Sequence, residues 1–183
     1  ELLKKLRKAG IRWICLGIES GNEFVRENVN KHIRGNIFNV VKTIQDNDIY
    51  VLGNYMFGLP EDNINTMQET LQLAMDLNCE FVNFYCTMAY PGSKLYEFAI
   101  QQGWQLPNNW IGFSQHSYDT LPLPTKYLSA KDVLKFRDEA FCKYFTNPLY
   151  LEMVEKKFGF VVREHIEKMV SIKLKRKILD ESN

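Results

Sequence analysis

Three apolar stretches of the chain end alike, on a short cluster of polar residues with glycine or proline. They are IRWICLGIESG (residues 11–21), DNDIYVLGNYMFGLPED (46–62) and LNCEFVNFYCTMAYPGS (77–93). Each follows a helical pattern that closes on Gly, Asn or Asp. Apolar runs of this length, bounded by turn residues and rich in β-branched and aromatic side chains, read as buried strands. Strand, helix, strand, helix, strand, helix predicts right-handed crossovers and three adjacent parallel strands, an α/β design. Function is expected at the three turns, because the C-terminal ends of parallel strands bring their loops together.

Taken in order, Leu2, Leu3 and Leu6 mark one face of a helix over residues 1–9 that Gly10 ends. In the first strand Ile14, Leu16 and Ile18 alternate with Trp13, Cys15, Gly17 and Glu19, so both faces read as apolar and covered. A short helical turn, NEFVREN, precedes a helix over 36–47 with Ile37, Val40, Val41 and Ile44 along one side. The second strand, 49–57, sets Leu52, Asn54 and Met56 against Val51, Gly53, Tyr55 and Phe57. A helix over 66–77 carries Met67, Leu71 and Ala74 behind an Asn65 cap. The third strand, 81–88, sets Val82, Phe84, Cys86 and Met88 against Asn83, Tyr85 and Thr87. With Glu19 and Asn54, that last row would line one cavity with hydrogen-bonding groups if all face inward. Pro91 and Gly92 open a helix with Leu95, Phe98 and Ala99 inward, and Gly103 ends it. Residues 104–128, with Trp104, Trp110, Phe113 and Tyr118 among prolines, read as an ordered loop packed on one end of the sheet. Ser129 and Asp132 form a capping box for a helix to Phe145 along Val133, Phe136, Ala140 and Tyr144. Asn147 and Pro148 break it, and helices near 149–157 and 160–178 follow. Three strands leave two open sheet edges, which invite pairing with another chain or with a second copy.

Composition narrows the picture. The 183 residues carry 45% hydrophobic and 25% charged residues and a formal charge of +1, without the basic excess that nucleic-acid or membrane-surface binding brings. No apolar run approaches a membrane span and no leader pattern is present. The LKRK segment, residues 174–177, reads as the solvated last turn of a helix. Cys15, Cys79, Cys86 and Cys142 form no CxxC pair, so neither a metal site nor a disulfide framework is predicted. Cys15 and Cys86 fall inside apolar strands and read as buried thiols, which fits a reducing, cytoplasmic setting. The start at Glu1, partway through a repeat, suggests a piece of a longer protein.

The turns GIESG, GLPED and YPGSKLYE, in this order and at these intervals, resemble the second half of the radical S-adenosylmethionine barrel. With KYFTNPLY following, the chain is most similar to members that carry a cobalamin-binding domain. The resemblance covers roughly residues 1–155. It implies half of a partial (β/α)6 TIM-like barrel, strands four to six over residues 1–103, followed by an aromatic loop and helical region over 104–183. It also implies S-adenosylmethionine and an iron–sulfur cluster as cofactors, with cobalamin as a candidate third, and a small-molecule substrate. In the family the cluster is held by a CxxxCxxC run after the first strand, and reductive cleavage of S-adenosylmethionine yields a 5′-deoxyadenosyl radical. None of the four cysteines here matches that run, so the cluster ligands are expected in an upstream half.

By motif position, Glu19 and Ser20 resemble groups that meet the ribose or methionine part of the cofactor; Ser20 with Glu23 also satisfies a capping box. Lys31 stands where relatives have a basic residue after Asn and would pair with the cofactor carboxylate, though His32 replaces their glycine and a surface role reads equally well. Gly58 and Pro60 hold the second turn, which departs from GLPGET by Glu61 in place of glycine, and Asn54 lies on the strand before it. Met88 to Tyr90 would run beside adenine. Asn83 and Tyr85 are substrate-side candidates or core residues. His116 and His165 have no spaced partner. The leading reading is therefore part of a radical enzyme for methyl transfer or rearrangement. Its competitors are a non-catalytic cofactor-binding or assembly module, and a barrel enzyme using Glu19 as acid or base.

Overall fold

The fold is taken from a computed structural model, which describes residues 1–33 and 35–180. Three parallel strands form one sheet in the order β1 (Trp13–Glu19), β2 (Tyr50–Phe57), β3 (Phe81–Cys86). Helix α1 (Leu2–Lys8) precedes β1, α2 (Glu23–Asn28) and α3 (Ile37–Gln45) cross to β2, and α4 (Ile64–Leu77) crosses to β3. Then follow α5 (Lys94–Gln101), a 3-10 turn (Trp110–Phe113), α6 (Ala130–Phe145), α7 (Pro148–Phe158), α8 (Phe160–Ser171) and α9 (Lys177–Asp180). The α/β arrangement with a parallel sheet is as the periodicity predicts.

Each helix-to-strand joint uses a left-handed backbone, at Gly10 (φ 98°), Asp48 (φ 56°) and Asn78 (φ 43°). Glycine, and next asparagine and aspartate, tolerate that region, which is why the chain places these residues where helices must stop. Caps at the other ends differ from expectation. Asn63, not Asn65, caps α4, with its side chain accepting from Thr66 N–H while the Thr66 hydroxyl accepts from Asn63 N–H. Asn22, not Ser20, caps α2. Ser93 caps α5, which starts beyond Pro91 and Gly92 and leaves Phe98 exposed while Ala99 is buried.

The helix-facing side of the sheet is Ile18, Val51, Tyr55, Phe57, Val82, Phe84 and Cys86, all buried against α4 and α6. Gly53 belongs to this row, and its missing side chain leaves room for the Tyr55 ring, 2.9 Å from where a Cβ would stand. Phe57 meets Phe84 at 5.3 Å and Phe136 at 5.0 Å between ring centroids. The same core continues through Tyr144, Phe145, Tyr150, Val154 and Ile166, so the C-terminal helices share it with the strands.

Beneath the sheet, at the N-terminal ends of the strands, the buried Glu80 carboxylate accepts from Val51 N–H at 2.7 Å and Gln45 Nε2 at 3.0 Å and pairs with Lys157. A carboxylate out of water needs such partners.

Several expectations are overturned. The second face of β1 is largely open, with Trp13 43% exposed although Phe158 of α7 stacks on it, and Cys15 also exposed. Val40 and Tyr118 are exposed and Trp110 is 75% so, while Phe113 alone of the four loop aromatics is buried. The last long helix stops at Ser171, and Arg176 in the LKRK segment is 1% exposed rather than solvated. The three-stranded sheet has β1 and β3 at its edges, and along β3 side chains take some of the main-chain groups: Phe84 C=O accepts from Arg137 Nε at 2.8 Å, and both Cys86 main-chain groups bond the Gln115 side chain at 2.9 Å.

Candidate functional site

The open face of the sheet presents successive rows across the strands. Trp13 lies beside Tyr50, and Phe158 of α7 stacks on Trp13 at 6.1 Å and meets Tyr50 edge-on at 4.9 Å, forming an aromatic floor. Above it the register aligns Cys15, Leu52 and Phe81, then Gly17, Asn54 and Asn83, then Met56 and Tyr85. One polar band therefore crosses an apolar wall near the C-terminal ends of the strands.

Glu19 extends that band across a local irregularity. The pairing of β1 with β2 shifts between Gly17 and Glu19, and Glu19 adopts φ 65°. Across this bulge Ile18 stays in the core and the Glu19 carboxylate stays on the open side, over Gly17. A non-glycine residue in this region stores of order 1–3 kcal/mol of strain, and such strain gathers where a side chain must be aimed. The Glu19 carboxylate lies 3.5 Å from Lys31 Nζ, with side chains 23% and 38% exposed. Both groups stand over Gly17: a Cβ there would lie 2.8 Å from Glu19 Oε1 and 3.0 Å from Lys31 Nζ. Glycine at this position makes the space that the ion pair fills. Next along the band, Asn83 Nδ2 donates to Asn54 Oδ1 at 3.0 Å. The pair answers the requirement that a strand amide find a partner, and each amide keeps further donor or acceptor capacity on a half-buried surface.

Ser20 follows Glu19 but turns the other way. It is fully buried, its hydroxyl shares a hydrogen bond with Thr70 at 3.1 Å and accepts from Asn22 N–H at 3.1 Å, and its carbonyl accepts from Arg26 Nη1 at 2.6 Å. These contacts fix the first turn against α4 and direct Ser20 away from the open face. Gly21 N–H donates to Thr70 Oγ1 at 2.8 Å, and Gly21 packs directly on the α4 backbone.

The second turn is organised by Asp62, which sequence reasoning missed. Its buried Oδ2 accepts from Gly58 and Leu59 N–H, each at 3.0 Å, and Oδ1 accepts from the Thr66 hydroxyl at 2.7 Å. Burial pushes its carboxyl above the ordinary carboxylate range, against the pull of those hydrogen bonds. Gly58 (φ 82°) is buried against Val133, and Pro60, at the rim, accepts from Lys126 N–H through its carbonyl. Glu61, the departure from GLPGET, lies 3.6 Å from Lys126 Nζ.

At the third turn β3 stops at Cys86, two residues earlier than the apolar run. Thr87 leaves the open row and is buried, with its N–H and hydroxyl both donating to Phe57 C=O, at 2.9 and 3.3 Å. Met88 is buried too, and Tyr90 is exposed with its ring 6.0 Å from Phe113. Of the ten residues singled out in the sequence, Glu19, Lys31, Asn54, Asn83 and Tyr85 thus come together on the open face. Pro60 and Tyr90 sit at its rim, and Ser20, Gly58 and Met88 lie in the supporting turns.

Among the described residues no group of three or more His, Cys, Asp or Glu side chains could hold a metal. The thiols do not suit a cluster: Cys79 and Cys86 are buried, with burial pushing each up to about 12, and Cys15 and Cys142 lie on a strand and a helix. The charged pair does suit a zwitterion. A carboxylate and an ammonium 3.5 Å apart can each find an opposite partner on an amino-acid moiety, and a carboxylate also accepts from vicinal hydroxyls.

The molecule is thus an α/β protein whose polar groups gather at the C-terminal ends of parallel strands, the usual place for ligands in such folds. Residues 1–74 match the family model described as the Radical SAM superfamily, the superfamily that the turns GIESG and GLPED within this stretch resemble. Over 94% of its length the chain is 22% identical to a protein of Pyrococcus horikoshii named an uncharacterized methyltransferase, of which it covers 37%. Over 53% of its length it is 29% identical to the anaerobic magnesium-protoporphyrin IX monomethyl ester cyclase of Rubrivivax gelatinosus. The enzyme of that name from Cereibacter sphaeroides is 26% identical over 53% of the chain. The chain spans 18% and 16% of those two proteins.

Proposed function

We propose that the chain is the S-adenosylmethionine-facing and substrate-facing wall of a radical SAM enzyme, the second half of a partial (β/α)6 TIM-like barrel completed by an upstream half. The observation that carries this reading is the Glu19–Lys31 pair, held over Gly17 at the end of β1 and in line with Asn54 and Asn83. In this reading Glu19 takes the ammonium or ribose hydroxyls of S-adenosylmethionine and Lys31 takes its carboxylate. Asn54 borders the cofactor. The turns at Gly58, Pro60 and Met88–Tyr90 set the adenine side, with Ser20 holding the first turn, and Asn83 and Tyr85 face the substrate. Residues 1–103 supply the wall and residues 104–183 support it.

An iron–sulfur cluster on upstream cysteines would supply the electron that cleaves S-adenosylmethionine. The residues of this chain bind, orient and keep water from the reacting groups. Methyl transfer or rearrangement of a small, unactivated molecule is the reaction class, in keeping with relatives named as a methyltransferase and cyclases. Cobalamin enters through the likeness around KYFTNPLY alone. The setting is cytoplasmic, and no described helix is long and apolar enough to cross a membrane.

The test is binding and cleavage of S-adenosylmethionine by the protein carrying its upstream segment, reconstituted with iron and sulfide without oxygen. Glu19→Gln and Lys31→Met should each weaken S-adenosylmethionine binding about tenfold, the worth of one charge-assisted contact of ~1.4 kcal/mol. 5′-Deoxyadenosine should form only with iron and reductant. Iron-independent activity that requires Glu19 would instead favour acid–base chemistry, and binding without cleavage would favour the non-catalytic module.

A further inference from the structure

We propose that Arg176 and Gln115 are positioning residues for this site: they fasten the loop after α5 to the outer edge of β3, and so set the place of Tyr85 and of the turn at residues 87–92. What the site binds rests on the reading above; the fastening does not.

Arg176 is the most deeply buried cation of the described chain, yet Lys173, Leu174, Lys175 and Lys177 around it are exposed. Among residues 173–177 it is thus the one buried side chain, just ahead of Ile178 and Leu179, which pack on the core. The guanidinium engages Asp138 with two parallel bonds, Nε to Oδ2 at 2.9 Å and Nη2 to Oδ1 at 3.0 Å. Its remaining terminal nitrogen, Nη1, donates to the carbonyls of Gln115 at 3.1 Å and Ser117 at 3.0 Å, and the next residue bonds the same loop, Lys177 N–H to Tyr118 C=O at 2.9 Å. Asp138 also accepts from Arg137 Nη1 at 2.8 Å, and Arg137 Nε reaches Phe84 C=O in β3.

From the loop the connection passes directly to the strand. Gln115 Oε1 accepts from Cys86 N–H and Gln115 Nε2 donates to Cys86 C=O, both at 2.9 Å. One side-chain amide thereby stands in for the peptide group of a neighbouring strand. Leu123 N–H then donates to Thr87 C=O at 3.0 Å. Tyr85 precedes Cys86 and projects to the open face, so two hydrogen-bonded steps separate Arg176 from the wall of the site.

Stability alone does not call for this arrangement, because a buried ion pair is often matched or bettered by apolar residues of similar size. A planar fork aimed at two carbonyls of one loop has a different use: it admits a single position of that loop, which an ammonium on a flexible stem does not impose.

Amide hydrogen exchange on the full-length protein tests the proposal, with S-adenosylmethionine dissociation constants measured on the reconstituted form. In Arg176→Met, exchange at residues 84–90 and 114–118 should rise about tenfold or more while α4 and β1 keep their protection, the mark of a local opening. Arg176→Lys, which keeps the charge and loses the fork, should behave as Arg176→Met does. Gln115→Ala, a change in a half-buried loop residue, should reproduce the loss at 84–90 and serves if the Arg176 variants fail to fold. S-adenosylmethionine affinity should fall about threefold or more in each folded variant, a shift within the range of coupling between linked sites. Exchange that rises only over 172–180, or equally throughout, overturns the proposal, as does full rescue by lysine. Wild-type protein that binds no S-adenosylmethionine would refute the functional reading and leave the exchange result to decide the fastening.

Discussion

Two glycines four residues apart should answer the same substitution in opposite ways. At Gly21 an added Cβ would lie 2.7 Å from Glu69 O, 2.8 Å from Glu69 C and 2.9 Å from Thr70 Cα, all main-chain atoms of α4. Nothing there yields without moving the helix or opening the turn that Ser20, Gly21 and Thr70 hold together. Overpacking of this kind costs about 1–3 kcal/mol, and at roughly 2–4 °C per kcal/mol for a chain of this size the melting temperature should fall by several degrees. At Gly17 the contacts are as short, 2.8 and 3.0 Å, but they are to Glu19 Oε1 and Lys31 Nζ, the far ends of flexible, partly exposed side chains. Alanine also gains about 0.5–1 kcal/mol over glycine within a strand. An ion pair this exposed holds at most about 1 kcal/mol, so Gly17→Ala should stay within about 0.5 kcal/mol of wild type. It should nevertheless weaken S-adenosylmethionine binding several-fold, because the charged pair must leave its place. Urea and thermal unfolding of the two variants, followed by equilibrium binding, measures both effects. Equal destabilisation by the two alanines, or a Gly17→Ala protein with unchanged affinity, would refute the geometry.

Glu80→Ala removes the acceptor of Val51 N–H and Gln45 Nε2 and should cost about 2–3 kcal/mol in urea unfolding, the desolvation of unmet donors, with Lys157 free to turn to water. Asp138 is pulled up by burial but more strongly down by hydrogen bonds from Arg176 and Arg137, which leaves its carboxyl below the ordinary 3.8. A depressed carboxyl stabilises above its unfolded value and loses that contribution as pH falls through its folded one. Wild type should therefore lose stability below about pH 4, and Asp138→Asn, less stable at neutral pH, should show a shallower acid limb in chemical denaturation. A thiol reagent should modify Cys15 and Cys142 in the folded 183-residue chain, and Cys79 and Cys86 only after unfolding; early labelling of Cys86 would contradict the seal along β3.

Much of the architecture is legible because it rests on local rules. Gly10, Asp48 and Asn78 mark helix ends by their tolerance of positive φ, and alternation in 50–57 and 81–86 assigns Asn54 and Asn83 to one face. What local pattern does not carry is direction and partnership. Ser20 falls in the row of Ile18 and is buried against Thr70, which its place in a turn motif conceals, and no periodicity announces the register shift between Gly17 and Glu19. Asn22 competes with Ser20 for the same cap, and Asn63 with Asn65, each two positions apart. Asp62 and Glu80 were readable only as carboxylates beside a turn and a strand start, where such residues are ordinarily solvated. Arg176 was hidden for the same reason: charge within LKRK signals a solvated face unless an acid 38 residues away in sequence meets it.

The covering of one edge of the sheet has a bearing on how copies of the molecule could associate. Polymeric growth through strands needs two adhesive sides on every unit, as in a fibril, where each chain both receives and offers an edge. Here no strand lies beside β1 or β3 on its outer side among the described residues, but on β3 Arg137 takes up Phe84 C=O and Gln115 takes up both Cys86 main-chain groups. A strand arriving on the β3 side must first displace the Gln115 side chain, so the amide of a single glutamine acts there as a chain terminator.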